Sequence, residues 1–246
     1  MNLYTLIKRD RWYIAASMLW LSICYFPISL LDENNVRALG VEGSFYETSG
    51  SIFLFSASIC FFYLFSVSRK RCEWFGWSIR RNPSCLLLGF IFLFGAGEEV
   101  SWGQRELHFK TPDFLESNRQ KEANIHNLPV FELTDLQGAY KTGLAKYLSM
   151  QELFKLFWLT FCFLLPLWSI LSRRFKLLLE RGGVPIVPLW AGVFLLLNYG
   201  LYLNILPMVS SSLKWPVTEI YECFSEFMLA VVAFWVLVQY WGEKGE

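Results

Sequence analysis

WYIAASMLWLSICYFPISLL, residues 12–31, is a run of twenty residues without a charge. At about 1.5 Å per helical residue it extends roughly 30 Å, the hydrocarbon thickness of a bilayer, and so reads as a membrane span. The rest of the 246-residue chain agrees: 54% of it is hydrophobic, only 17% is charged, and it carries 23 Phe, 11 Trp and 11 Tyr. An ordinary soluble domain has a much larger share of charge. Working outward, comparable apolar runs cover residues 50–68, 83–100, 153–172, 188–206 and 216–241. The expectation is an all-α polytopic membrane protein, one membrane domain over 1–246 with six transmembrane helices. Lys8, Arg9 and Arg11 precede the first run, which lacks a small-x-small cleavage pattern and so reads as a retained span.

Charge orients these spans. Lys8, Arg9 and Arg11, then Arg69, Lys70, Arg71, Arg80 and Arg81, then Arg173, Arg174, Lys176 and Arg181, and finally Lys244 all fall on alternate connections. The positive-inside rule puts those segments and both termini in the cytoplasm. The 32–49 and 101–150 connections then lie outside. Within 101–150, Thr111-Pro112-Asp113 resembles a helix start and Leu128-Pro129 a stop, which predicts a short helix over 112–127. A second short amphipathic helix is expected over 133–148. Trp12, Trp102, Trp158, Trp215 and Trp241 fall near span boundaries and read as interfacial anchors. A net charge of +1 gives no field for nucleic acid, which is excluded as a partner. Cys24, Cys60, Cys72, Cys85, Cys162 and Cys223 form no C-x-x-C pair and read as buried hydrophobes.

Three polar groups break the apolar pattern. Glu98-Glu99-Val100-Ser101-Trp102-Gly103-Gln104-Arg105-Glu106-Leu107-His108 follows the third run directly. On a continuing helix Glu98, Ser101, Arg105 and His108 would share one face. A carboxylate at membrane depth needs a proton, a partner or water, so the acidic pair points to a polar cavity or to Arg105 as counter-ion; an interfacial pair that merely fixes the helix fits the same residues. In the outer connection Asn118, Glu122 and His126 recur every four residues, a spacing that would stack Glu122 and His126 as an acid–base pair or half a metal site. At the last span Glu219, Glu222 and Glu226 lie on one side. Glu219 reads as a first-turn acid following a Thr218 cap, whereas Glu226 falls too deep for that explanation.

The charge bias puts all three groups at one outer end, where they would converge. Glu98, Glu99, Arg105, Glu122 and His126 are the candidate catalytic residues. Glu99, Glu122, His126, Glu222 and Glu226 are candidate ligands for a divalent metal, zinc, iron or manganese. Trp102, His108, Asn118 and Glu219 are taken as structural or interfacial. Only His108 and His126 supply imidazole, and there is no H-E-x-x-H motif.

The signature from Glu98 to Arg105, with Thr111-Pro112 and then Asn118, Glu122, Asn124, His126 and Asn127, resembles that of a group of bacterial multipass membrane proteins bearing E-E-x-S-W-G-Q-R. The resemblance covers about an eighth of the chain. It implies a bacterial inner-membrane location and marks these positions as the site, and it carries no reaction. The functional expectation is a carboxylate/histidine site near the outer face running metal-assisted chemistry on a lipid or envelope intermediate. Two alternatives stand beside it: a non-catalytic accessory subunit of a membrane complex, and a component of a proton or ion relay. Membrane lipids, a membrane-protein partner and a second copy of the chain are the expected partners.

Overall fold

The structure is a computed structural model, and it describes residues 3–40, 43–68, 71–74, 77–118, 121–132 and 141–242. Helix α1 (Leu3–Leu30) is followed by the short α2 (Glu33–Leu39), capped by Asp32, whose side chain accepts the Asn35 backbone N–H at 2.9 Å. Then come α3 (Phe45–Val67), a hairpin of β1 (Arg71–Trp74) and β2 (Trp77–Arg80), and α4 (Pro83–Glu99). The sequence starts α4 with Asn82, which accepts from the Ser84 N–H, and with Pro83, whose missing N–H costs nothing in a first turn. After α5 (Gln104–Leu107) and a segment of turns, α6 (Met150–Trp158) leads through a π-helical stretch, Leu159–Leu164, into α7 (Leu165–Leu171). The π stretch lies just ahead of Pro166, which has no N–H to continue an α-helical ladder. α8 (Arg173–Arg181), α9 (Leu189–Ile205) and α10 (Lys214–Gly242) complete the chain.

This is an all-α bundle with several long apolar helices, consistent with a polytopic membrane protein. Four helical stretches are long and apolar enough to cross a membrane: Arg9–Leu30, Phe45–Val67, Met150–Leu171 and Ser211–Gly242. Pro83–Glu99 with Ser101–Leu107 makes a fifth if a pair bent by 70° is one span. Leu189–Ile205 is apolar but shorter, because the chain from Val184 to Pro188 is non-helical and Leu206 ends the helix. Six full spans are therefore not clearly present. The small antiparallel hairpin, in register Cys72↔Ile79, was not expected from the sequence.

Helix α10 is the axis of the bundle, packed by α1, α3 and α9, while α3 also packs along α4. Phe61 stacks on Phe92 between α3 and α4, with ring centroids 5.5 Å apart. Ser51 and Ser58 of α3 donate to the carbonyls of Ala96 and Gly89, so hydroxyls join these helices as well as apolar contact does. At one end of the bundle the fully buried Asp10 accepts from Arg9 and from the indole N–H groups of Trp190 (3.0 Å) and Trp235 (3.1 Å). It thus ties α1 to α9 and α10. At the same end Asn82 and Ser84 donate to the carbonyls of Gly183 and Gly182. These contacts join the ends of the 71–81 and 173–183 segments, which carry Arg80, Arg81, Arg173, Arg174, Lys176 and Arg181.

Five of the six cysteines are buried, Cys72 included. Trp12, Trp102, Trp215 and Trp241 are exposed, as interfacial anchors should be. Trp158 is not: it is 1% exposed and donates to the Tyr221 hydroxyl inside the bundle. Its neighbours on α6 continue the helix above it, so its position near a run boundary did not place it at a surface.

Candidate functional site

The end opposite Asp10 holds the polar groups. Helix α4 does not continue past Glu99. The chain bends by 70°, and Ser101, Trp102 and Gly103 take positive φ values of 47°, 56° and 76°. For Ser101 and Trp102 that backbone is strained and must be held by contacts. Ser101 Oγ donates to Glu122 Oε2 at 2.5 Å and accepts from Asn124 Nδ2 at 2.9 Å. Trp102 folds back over Gly97, where a Cβ would meet the indole at 2.8 Å, and its Nε1 donates to Glu98 Oε1 at 2.7 Å. Both strained residues are thus fixed by acids that the sequence singled out.

Glu98 and Glu99 separate in role because successive helical residues point about 100° apart. Glu98, 4% exposed, turns to the outer segment, where its Oε2 accepts the backbone N–H groups of Ile125 (2.6 Å) and His126 (2.9 Å). Arg105 joins two acids: its Nη2 lies 3.2 Å from Glu47 and 3.1 Å from Glu122. Asn118 donates to Asn124, and Asn124 in turn donates to Ser101 and Glu122. The result is a polar lattice that pins Asn118 and residues 121–126 onto the end of α4 and the start of α3.

That lattice corrects the helix expected over 112–127. Among the described residues of that range only Asp113–Leu115 is helical, as one 3-10 turn, and Pro112 precedes it rather than opening an α-helix. The Asn118 side chain takes up the Asn124 carbonyl, and the Glu98 carboxylate takes up the Ile125 and His126 N–H groups, backbone groups that a helix would have used. Glu122 and His126 are therefore not stacked one turn apart: Glu122 belongs to Arg105, Ser101 and Asn124, and His126 lies beside Glu98. Likewise Glu98, Ser101, Arg105 and His108 do not share a helical face, because the helix breaks between Glu99 and Gln104. His108 is exposed at the end of α5. Of the expected helix over 133–148, residues 133–140 lie outside the described residues, and Gly143–Leu148 is a 3-10 helix.

Beneath the lattice lies a cavity of about 570 Å³. Glu99 of α4 and Glu219, Glu222 and Glu226 of α10 line it, together with His126. Spacings of three and four along α10 put its three acids on one side. Glu219 is not a first-turn acid: α10 begins at Lys214, Thr218 bonds back to the Lys214 carbonyl, and Glu219 faces the cavity a turn further in. Glu226 is 4% exposed and packs on Gly50 of α3, where an added Cβ would come within 1.7 Å of its Oε2. Neither Glu99, Glu219, Glu222 nor Glu226 makes a hydrogen bond or ion pair with any described residue. The lattice residues Glu98, Arg105 and Glu122 and, at the start of α10, Lys214 also line it, and apolar side chains including Leu54, Phe92, Phe154, Phe157 and Leu229 make up much of the rest. On α10 the lining ends at Leu229, and Val232 and Ala233 beyond it are fully buried.

No three of His, Cys, Asp and Glu among the described residues stand close enough together to hold one metal ion. The expected set of Glu99, Glu122, His126, Glu222 and Glu226 lines one cavity without converging on a point, and Glu122 is already engaged by Arg105, Ser101 and Asn124. Glu47, Gly50 and Lys214 were missed by sequence reasoning. Glu47 had a signal, an acid in the connection that shares an end with Arg105, while Gly50 had only its place among small residues.

His126 Nδ1 lies 3.5 Å from Glu98 Oε2, an ion-pair distance without hydrogen-bond geometry. Burial alone would lower the imidazole pKa, but the Glu98 contact and the fields of Glu99 and Glu222 outweigh it and raise the value above the ordinary one. A raised folded-state pKa gives stability that is complete below the unfolded value, about 6.5, and lost as pH rises through the folded one. Wild type should therefore melt above His126→Gln at mildly acidic pH, with the gap closing as pH rises. A gap independent of pH would contradict this.

Comparison of the chain with protein-family models, with curated proteins and with solved structures finds no match.

Proposed function

We propose that this protein is the binding component of a membrane proton or ion relay, taking a proton or cation into the carboxylate cavity, and that this cavity is blind. The observation that carries this reading is Glu226, 96% withdrawn from solvent yet facing the cavity with Glu99, Glu219 and Glu222 and without a basic partner among the described residues. Two like charges about 6 Å apart repel by roughly 3 kcal/mol at an effective dielectric of about 20, so four such groups need protons or cations to balance them. The lattice of Glu98, Arg105 and Glu122 has another job: it is internally satisfied and supports a structural role, forming the wall over the cavity. On this reading the basic connections face the cytoplasm of a bacterial cell and the cavity opens on the outer side of the inner membrane.

A hydrophobic carbodiimide tests the reading. It adds to a protonated carboxyl, and the adduct rearranges to a stable acylurea where water is excluded. Peptide mapping of folded protein should find the adduct on Glu222 or Glu226 and not on Glu98, with labelling that falls as cations are added. Absence of any adduct on α10 in folded protein would contradict it and favour the accessory, structural reading.

A further inference from the structure

The cavity also constrains the chemistry of its ligand. Its carboxylates outnumber its three basic side chains, Arg105, His126 and Lys214, and Arg105 is already shared by Glu47 and Glu122, so the balance selects a cation. The acids are spread along two turns of α10 and across to α4, and no three of the described carboxyl and imidazole groups converge on one point. A compact divalent ion, which wants several oxygens at once, is poorly served by that spread. An ammonium group, which donates three hydrogen bonds in different directions, is well served.

The wall carries a second constraint. Ile91 and Phe94 of α4 line the cavity and are 38% and 40% exposed, and Leu87 and Phe90 beside them on α4 are exposed without lining it. The edge-to-face contact of Phe92 with Phe157, 5.8 Å between centroids, joins α4 to α6 below them. The cavity wall is thus continuous with the surface that faces lipid chains, and at about 570 Å³ the space is within the range of sites that enclose most of a small organic molecule. Lys214 lines the same cavity at the start of α10.

We infer that the ligand is an amphipathic primary ammonium, held through its head by Glu222 and Glu226 with its hydrocarbon chain leaving past Ile91 and Phe94 into the bilayer. This rests on the cation-binding reading above and narrows it. Two sources share this chemistry: a free long-chain amine, and a phospholipid with an ethanolamine headgroup, whose phosphate would fall toward Lys214.

The test is equilibrium binding to the full-length protein in nanodiscs of phosphatidylcholine, read as protection of Glu222 and Glu226 from the carbodiimide. Dodecylammonium, ethylammonium, dodecanol, lysophosphatidylethanolamine and lysophosphatidylcholine are compared. Dodecylammonium should protect at least about tenfold more tightly than ethylammonium, a difference of about 1.4 kcal/mol, and dodecanol should not protect. Protection by lysophosphatidylethanolamine but not lysophosphatidylcholine would identify the lipid source, and protection by dodecylammonium alone the free amine. Glu226→Gln and Glu222→Gln, each checked for folding by its melting transition, should each weaken dodecylammonium binding. Equal protection by ethylammonium would overturn the amphipathic ligand while leaving cation binding intact. Labelling that no amine affects would overturn the inference and leave proton binding. Absence of labelling together with absence of amine binding, measured by direct partition, would overturn both.

Discussion

Replacing Glu98 with Ala should destabilise the protein by about 3–5 kcal/mol, far more than the same change at its neighbour Glu99. Glu98 accepts the Trp102 indole N–H and the backbone N–H groups of Ile125 and His126, all in a setting where it is 4% exposed. Its removal leaves buried donors unmatched, and each such group costs about 1–3 kcal/mol. The strained backbone at Ser101 and Trp102 also loses one of its two restraints. Glu99 has no hydrogen-bond or ion-pair partner among the described residues, so Glu99→Ala should cost less than about 1 kcal/mol. Thermal unfolding of both variants checks the contrast, and limited proteolysis should show residues 121–132 released only in the first. Equal costs would mean that the two acids do not divide the structural and binding roles as described.

The second large effect is expected at Gly50. In an ordinary helix Gly→Ala is stabilising by roughly 0.5–1 kcal/mol. Here the added methyl would stand 1.7 Å from Glu226 Oε2, so it must displace either the carboxyl group or α3 itself. Overpacking of this kind costs about 1–3 kcal/mol, enough to reverse the sign. Gly50→Ala should therefore lower the melting temperature and reduce carbodiimide labelling at Glu226. The double variant Gly50→Ala with Glu226→Ala should recover much of the lost stability, because the clash is gone. A stabilising Gly50→Ala would show that Glu226 does not pack against α3.

The long helices were legible because charge-free runs of bilayer length have few other uses: helix 214–242 encloses the run 216–241, and helices 3–30 and 45–67 cover the runs 12–31 and 50–68 up to their last residue. The face of Glu219, Glu222 and Glu226 was legible for the same reason: a regular helix lets spacing stand for direction. Where the chain is irregular that rule fails. Nothing in Val100-Ser101-Trp102 announces positive φ, since the strain is sustained by Glu122 and Asn124 some twenty residues away. The i,i+4 relation of Glu122 and His126 presumed a helix, yet the Asn118 and Asn124 side chains prefer to bond to backbone and to each other. Arg105 was expected to answer the Glu98-Glu99 pair; that it meets Glu122 and Glu47 instead, the latter 58 positions earlier, depends on tertiary packing alone. The hairpin at 71–80 is too short for an alternating pattern to show.

The most direct measurement of the central claim, a carboxylate cavity open at one end and closed at the other, is the reactivity of single introduced cysteines with a charged thiol reagent. Glu219→Cys, Glu222→Cys, Glu226→Cys and Ala233→Cys proteins would be reconstituted in sealed vesicles, treated from one face at a time and mapped by mass spectrometry. The expected result is modification at 219, 222 and 226 from the face bearing the 101–150 segment only, with position 233 protected from both. Modification at 233, or at 226 from the face bearing Asp10 and the basic connections, would contradict a blind cavity, and protection at all four positions would contradict a cavity that admits ligand.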